Sequence, residues 1–326
     1  MADLAGDELA RMRRVEDAFA TAASAMGFQE VRTPLIEYLH LYTMSGTLSP
    51  QLLGRVYSFL DWDGWSGERV VLRPDSTVAV ARLYGERYGG QRARLFYQQP
   101  VLRFAAGGEQ RESWQCGAEL FGWEAVEAEI ELITVAGEVF KLLGLPQPEL
   151  RISHSGIVRA LLEATGQAPA EQVEEYDRIL AGDMTVIDLI ESRLPGIAGK
   201  LRLLFETQGE SAAYVQNLRG SLAGDVPAAA VALDELAQAA EKLTKLGMTY
   251  RVVTPLARDF EYYTGIVFQL GYQDEIVGAG GRYDQLTRLV GGEPTPACGF
   301  AFDTQVVAGL LAKGPAEARV AAEATV

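Results

Sequence analysis

Three segments near the C-terminal end constrain this chain most: R-D-F-E-Y-Y-T-G-I-V-F-Q-L from Arg258, G-A-G-G-R-Y-D from Gly278 and T-P-A-C-G-F-A-F from Thr295. The first alternates apolar and polar positions among β-rich residues, which predicts a strand with one face toward a pocket. Arg258, Tyr262 and Tyr263 set a cation and two phenols beside it. Gly278, Gly280 and Gly281 allow close backbone approach or positive φ just before Arg282-Tyr283-Asp284. These groups suit recognition of a small polar ligand, although R-x-x-x-Y-Y alone also describes a packed strand with a surface arginine. G-x-G-G-R-Y is not a dinucleotide fingerprint, because Tyr283 stands where its last glycine belongs.

The 326 residues suffice for one large domain or two ordinary ones, and 48% hydrophobic residues supply a sizeable core. A formal net charge of −15, from 44 acidic and 29 basic residues, argues against a broad nucleic-acid footprint. Cys116 and Cys298 form no C-x-x-C pattern, and His40 and His154 lie far apart without metal-ligand spacing. The expectation is therefore a reduced, cytoplasmic protein with no disulfide, no metal and no cofactor. No stretch has the length and freedom from charge to span a bilayer, so no membrane association is expected.

Taken in order, residues 7–26 carry helical spacing, with Leu9, Met12, Val15, Phe19 and Ala23 on roughly one face and Gly27 as the stop. F-Q-E-V-R-T-P-L-I-E-Y reads as a strand broken at Pro34. R-V-Y-S-F-L-D-W and E-R-V-V-L-R-P, joined by D-G-W-S-G, read as a hairpin, after which Asp75 or Ser76 caps a helix. Residues 94–122 pair two further strands around a polar glycine-containing tip. On the return strand Gln115 and Glu119 share a face, where Glu119 either meets a ligand or neutralises Arg103 across the sheet. A helix over 124–144 stops at Gly144, and the strand P-E-L-R-I-S-H-S follows, with His154 packed or capping. From 156 to 247 the pattern is helical, before Y-R-V-V-T-P-L returns to a strand.

The three opening segments in their order, L-R-P-D-S-T, and the hairpin 94–122 resemble the histidyl-tRNA synthetase family of class II synthetases. The helix and strand before Pro34 are similar to its first motif, which in that family builds a dimer interface. The resemblance implies an α/β (α+β) fold with a mixed, mostly antiparallel sheet flanked by helices. It implies a core over 1–155 and 248–314, a helical insertion over 156–247 and a flexible tail over 315–326. It also assigns a histidine pocket: Asp75 and Thr77 to the amino group, Arg103 to the activated carboxylate and α-phosphate, and Gln115 and Glu119 toward the ligand. Arg258 matches the family's catalytic arginine, and Tyr262, Tyr263 and Tyr283 match its pocket tyrosines.

Asp75 shortens the family's glutamate, Asp259-Phe260-Glu261 replaces its G-L-D and Thr264-Gly265 its N-R or T-R, and two further departures concern nucleotide handling. The family's R-x-E is Arg103-Phe104-Ala105 here, and the closing G-x-G-x-[DE]-R has Gln305 at the acid and Val306 at the arginine. Valine holds no phosphate charge. The chain is also similar to a synthetase paralogue, the regulatory subunit of short-form ATP phosphoribosyltransferase, through its Y-Y-T-G-I-V-F segment, eroded third motif and lack of room for an anticodon domain. That family implies a non-catalytic subunit of histidine biosynthesis, dimeric within a hetero-oligomer with the catalytic subunit, binding histidine and no tRNA. The alternative is a truncated histidyl-tRNA synthetase or a free-standing histidine-activating enzyme.

Overall fold

The computed structural model describes residues 3–44, 48, 50–62, 64–105, 110–180, 182–254, 256, 262–273 and 275–312. The elements in order are α1 (Gly6–Ala25), β1 (Gln29–Glu30), β2 (Ile36–Tyr38), α2 (His40–Thr43), α3 (Pro50–Leu53), β3 (Ser58–Trp62), β4 (Gly67–Leu72), α4 (Ser76–Arg87), β5 (Ala93–Leu102), β6 (Glu112–Phe121) and α5 (Glu127–Leu143). Then come β7 (Glu149–His154), α6 (Ser155–Glu163), α7 (Pro169–Leu180), α8 (Thr185–Glu191), α9 (Pro195–Glu206), β8 (Gln208–Gly209), α10 (Ala212–Leu222), α11 (Ala229–Lys245) and β9 (Tyr250–Val253). The chain continues with β10 (Ile266–Tyr272), β11 (Glu275–Arg282), α12 (Leu286–Leu289), β12 (Ala297–Asp303) and α13 (Thr304–Ala312). No helix among the described residues is long and apolar enough to cross a membrane.

Two compact units emerge. The first takes Met1–Pro148, Asp259–Tyr262 and Tyr272–Val326; the second takes Glu149–Arg258 and Tyr263–Gly271. In the first unit the strands run β1-β5-β6-β12-β11, with β1 parallel to β5 and each later pair antiparallel. A small sheet, β2-β4-β3, stands beside it in the same unit. Helix α1 buries Met12, Val15, Phe19, Ala22 and Ala23, as its period predicts, whereas Leu9 stays exposed in the first turns. Phe19 packs on Phe96, Phe300 and Phe302, with ring centroids 6.3, 5.8 and 5.9 Å away. Helix α5 adds Phe140 against Phe302 at 5.6 Å. One face of the main sheet is thus sealed by aromatic packing.

Arg282, from G-A-G-G-R-Y-D, belongs to that sealed side. It is buried against the fully buried Glu129 of α5, Nε to Oε1 2.5 Å, and donates to the carbonyls of Trp123 and Glu124. A buried charge persists only when paired and hydrogen-bonded in this way.

The second unit orders its strands β10-β7-β9-β8 and surrounds them with α6–α11, α11 packing on β7 and on α10. The short β8 interrupts the otherwise helical run. His154 is packed and capping: its Nδ1 accepts from Gly156 N at 3.0 Å, opening α6, and its Nε2 lies 3.0 Å from Glu235 Oε2.

The organising stretch departs from expectation in its strand, while Gly278 takes one of its two expected roles. The strand begins only at Ile266, and all seven residues of β10 are buried. Both its faces are covered, so an alternating pattern does not mark an open side. Gly278 serves close approach rather than positive φ, since a Cβ there would come within 2.7 Å of Phe302 and 2.8 Å of the Ala301 carbonyl. Gly278, Gly280 and Gly281 are all absent from the positive-φ residues.

Candidate functional site

Strand register gathers a buried polar cluster on the second face of the main sheet in the first unit. Leu95, Glu119, Gly299 and Gly281 stand in one row across β5, β6, β12 and β11; Tyr97, Gly117, Ala301 and Ala279 form the next. Side chains alternate along each strand, so these rows share the face opposite the aromatic packing. Small residues on the neighbouring strands admit the Glu119 and Tyr97 side chains. At Gly299 the missing side chain is obligatory, because a Cβ would overlap the Glu119 carboxylate. At Gly117 a Cβ would collide with the Tyr97 ring and hydroxyl.

Glu119 is fully buried. Its Oε1 accepts from Thr77 Oγ1 at 2.8 Å and its Oε2 from the Tyr283 hydroxyl. Neither partner is a cation. Burial raises its proton affinity, the charge of Asp75 adds to this, and the hydroxyl bonds only partly oppose it, so the carboxyl is pushed up to about 8. The proposed cross-sheet neutralisation by Arg103 is not what the carboxylate makes: its two oxygens go to Thr77 and Tyr283.

Asp75 is at once a helix cap and a member of this cluster. Its Oδ1 accepts from Val78 N at 2.8 Å, opening α4, while Oδ2 lies 3.5 Å from the Tyr262 hydroxyl. Burial pushes this carboxyl up to about 6 against the cap bond and the pull of Arg103. Tyr262 meets Tyr283 edge-on at 5.6 Å. Half-buried Arg103 donates from Nε to the Pro74 carbonyl at 2.8 Å, fixing its stem next to Asp75.

The structure therefore brings together Asp75, Thr77, Glu119, Tyr262 and Tyr283, with Arg103 alongside. Gln115, half-buried, shares the face of Glu119 farther along β6, opposite Gln99 and Asp303. Tyr263 is buried in the second unit. Arg258 lies outside the described residues.

Several contributors escaped motif reading. Tyr97 joins the cluster from β5, packed over Gly117; its signal was a tyrosine paired across a hairpin with glycine. Tyr42 donates to the Asp75 carbonyl at 3.1 Å. Arg73 is almost wholly buried and donates to the carbonyls of Thr33, Pro34 and Pro100, tying the turn before Asp75 to two other segments. Two buried acids with raised proton affinity, ringed by hydroxyls, suit a small ligand bearing N–H or ammonium groups.

Comparison with known proteins agrees with this architecture. The family described as Histidyl-tRNA synthetase matches residues 1–307. An ATP phosphoribosyltransferase regulatory subunit of Dehalococcoides mccartyi is 44% identical over 305 residues, covering 92% of this chain and 73% of the relative. The chain belongs to the ATP phosphoribosyltransferase regulatory subunit family. Within the wider histidyl-tRNA synthetase group, the histidine–tRNA ligase of Sulfolobus acidocaldarius is 30% identical over 96% of this chain and 74% of its own length. Among solved structures, a Bacillus halodurans protein described as an ATP phosphoribosyltransferase regulatory subunit/histidyl-tRNA synthetase superposes with a TM-score of 0.80 at 26% identity, covering 95% of this chain and 81% of that one.

In this member of the regulatory subunit family the third motif starts a helix with no cation. Asp303 caps α13, its Oδ1 accepting from Gln305 N at 3.0 Å and Val306 N at 3.1 Å, while Ser113 donates to Oδ2. Gln305 Oε1 receives the Gln110 amide at 2.6 Å, a neutral link between the third motif and the hairpin. Val306 is half-buried beside it.

Proposed function

We propose that this chain is the non-catalytic regulatory subunit of a short-form ATP phosphoribosyltransferase, required for the partner's activity and conveying inhibition by histidine. The carrying observation is the contrast inside one unit: Asp75, Thr77, Glu119, Tyr262 and Tyr283 are brought together, while Gln305 and Val306 stand where a phosphate clamp needs an acid and an arginine. That contrast supports binding and regulation rather than adenylation.

In this reading the cluster takes free histidine. Asp75 and Thr77 receive the ammonium group, and half-buried Arg103 receives the carboxylate, for which a planar guanidinium suits a delocalised anion. Gln115, Glu119, Tyr262 and Tyr283 surround the imidazole. Self-association uses the β2-β4-β3 sheet. All five residues of β3 are exposed, Phe59, Leu60 and Trp62 among them, and Ile36 and Tyr38 extend the apolar surface. Apolar exposure on both sides of an edge strand marks an interface, here with a second copy.

The test is phosphoribosyltransferase activity of the short catalytic subunit from the same organism, with and without this chain and histidine. Strong stimulation that becomes histidine-sensitive is expected; absence of both stimulation and complex formation refutes the reading. Val306→Arg is expected not to create adenylation, because Ala105 also departs from the nucleotide-positioning pattern. Histidine-dependent pyrophosphate exchange in that variant would favour the synthetase alternative.

A further inference from the structure

The turn from β7 into α6, in the second unit, carries a polar cluster of its own. Ser153, His154 and Ser155 line a cavity there, together with Val158 of α6 and Tyr176 and Leu180 of α7, and the rest of its wall is apolar. The space has room for about one water molecule, which excludes an amino acid or a nucleotide. Ser155 is only 3% exposed, and its hydroxyl is wholly buried with no hydrogen-bond partner among the described residues. Buried hydroxyls are nearly always satisfied, so this one calls for a partner.

The neighbouring groups narrow what that partner is. His154 is spent, since its Nδ1 accepts from Gly156 N and its Nε2 lies 3.0 Å from Glu235 Oε2. The first amides of α6 are spent as well: Ser155 N donates to the Gly265 carbonyl at 2.9 Å and Gly156 N to His154. None of the described residues lining the cavity is Asp, Glu, Lys or Arg, so a charged occupant would be buried without a counterion. Hydroxyls remain. Ser153 Oγ and Thr254 Oγ1 lie 3.3 Å apart, a pair in which one O–H makes the bond and the second hydrogen still needs an acceptor. A small neutral molecule that both accepts and donates meets these needs.

We propose that one ordered water molecule occupies this cavity, accepting from the Ser155 and Ser153 hydroxyls and donating to the Tyr176 hydroxyl oxygen. Three polar partners are what a buried water ordinarily finds. A bridge of this kind is nearly as favourable in enthalpy as a direct hydrogen bond. Ser155 opens α6 and Tyr176 belongs to α7, which packs on α6, so the water fastens α7 to the point where the strand turns into a helix. The site is separate from the Glu119 cluster and independent of the histidine reading.

The experiment pairs a crystal structure of the wild-type chain with hydrogen exchange of the α7 amides in the wild type, Ser155→Ala, Tyr176→Phe and the double variant. Tyr176→Phe keeps the ring, which lies 5.2 Å from the Arg159 guanidinium, and removes the hydroxyl. The map is expected to show one water within hydrogen-bond reach of Ser155 Oγ and the Tyr176 hydroxyl. Each single variant should speed α7 exchange about fivefold, the range of one hydrogen bond, with α10 unchanged. Because both hydroxyls act through one water, the double variant should exchange about as fast as either single variant. Effects that multiply in the double variant overturn the proposal, since the hydroxyls would then act separately. So does unchanged α7 exchange in Ser155→Ala. Should a variant fail to fold, the wild-type map decides alone: both side chains defined and no water between them overturns the assignment.

Discussion

Replacing Glu119 with glutamine separates the cost of this carboxyl from its use. In the folded chain the carboxyl holds its proton up to about 8, against an ordinary value of 4.5. Between those values the folded state binds more protons than the unfolded state, so stability falls as pH rises. The contribution is fully present below about 4.5 and is lost as pH climbs through about 8. At roughly 1.4 kcal/mol per pH unit, the wild type loses on the order of 4 kcal/mol from this group between pH 4.5 and 7.5.

Glutamine has nearly the same shape and no proton to lose. Its carbonyl can accept from one of the Thr77 and Tyr283 hydroxyls and its amide can donate to the other, so both contacts survive at a cost of about 1 kcal/mol. Glu119→Gln is therefore expected to be slightly less stable than the wild type at pH 5. At pH 7.5 it is expected to be more stable, by about 2–4 kcal/mol. Asp75 titrates in both proteins near 6, and because its charge repels that of Glu119, the variant also relieves this repulsion above that pH, in the same direction as the main effect. Urea unfolding at half-unit intervals from pH 5 to 8 gives that difference directly, and calorimetry at pH 7.5 should show histidine binding weakened at least tenfold. A stability difference that stays constant across the range refutes the buried, proton-holding carboxyl. Gained stability with undiminished histidine affinity refutes its role toward the ligand.

Gly299→Ala places a methyl on the Glu119 carboxylate and 2.9 Å from the Ala118 carbonyl; a loss of about 2–4 kcal/mol in urea unfolding and of histidine heat is expected, and an unchanged midpoint would contradict this packing. Arg282→Met leaves the fully buried Glu129 without its cation and should cost about 3–5 kcal/mol, with much of the loss recovered by adding Glu129→Leu. A double variant as unstable as Arg282→Met alone would argue against the pair as the cause. Leu60→Glu with Trp62→Glu, on exposed β3, should leave the fold intact by circular dichroism and yield a monomer in sedimentation; a persisting dimer moves the interface elsewhere.

Local chemistry that acts within a few residues was legible in the sequence. Gly27 and Gly144 end their helices with positive φ, Asp75 caps α4, and the hairpins close where turn residues separate β-rich runs. What failed depends on cover from elsewhere in the chain. The alternating pattern before Ile266 did not mark an open face, because the strand it leads into is buried on both sides. Tyr97 was invisible for the opposite reason: nothing in R-L-F-Y-Q-Q-P separates a core tyrosine from one facing a carboxyl. Only the register that sets it opposite Gly117, with Glu119 in the next row, makes that distinction. Arg282 looked like part of a ligand motif and is a structural ion pair.

The two halves of the site have been treated differently by the chain, and the difference follows from what each must hold. A phosphate clamp needs a permanent cation aimed at the ligand, and one substitution such as valine for arginine removes it without disturbing the helix, because Asp303 still caps α13 through backbone N–H groups. The Glu119 cluster cannot be lost so cheaply. Its carboxyl is fully buried, Gly299 admits it and Gly117 admits Tyr97 beside it, and removing Thr77 or Tyr283 would leave a buried acid short of a bond. Losing the Glu119 cluster would therefore take several coordinated changes, whereas losing a clamp cation takes one. In the proposed reading, that asymmetry is why a subunit without the clamp still offers a buried acid to a nitrogen base.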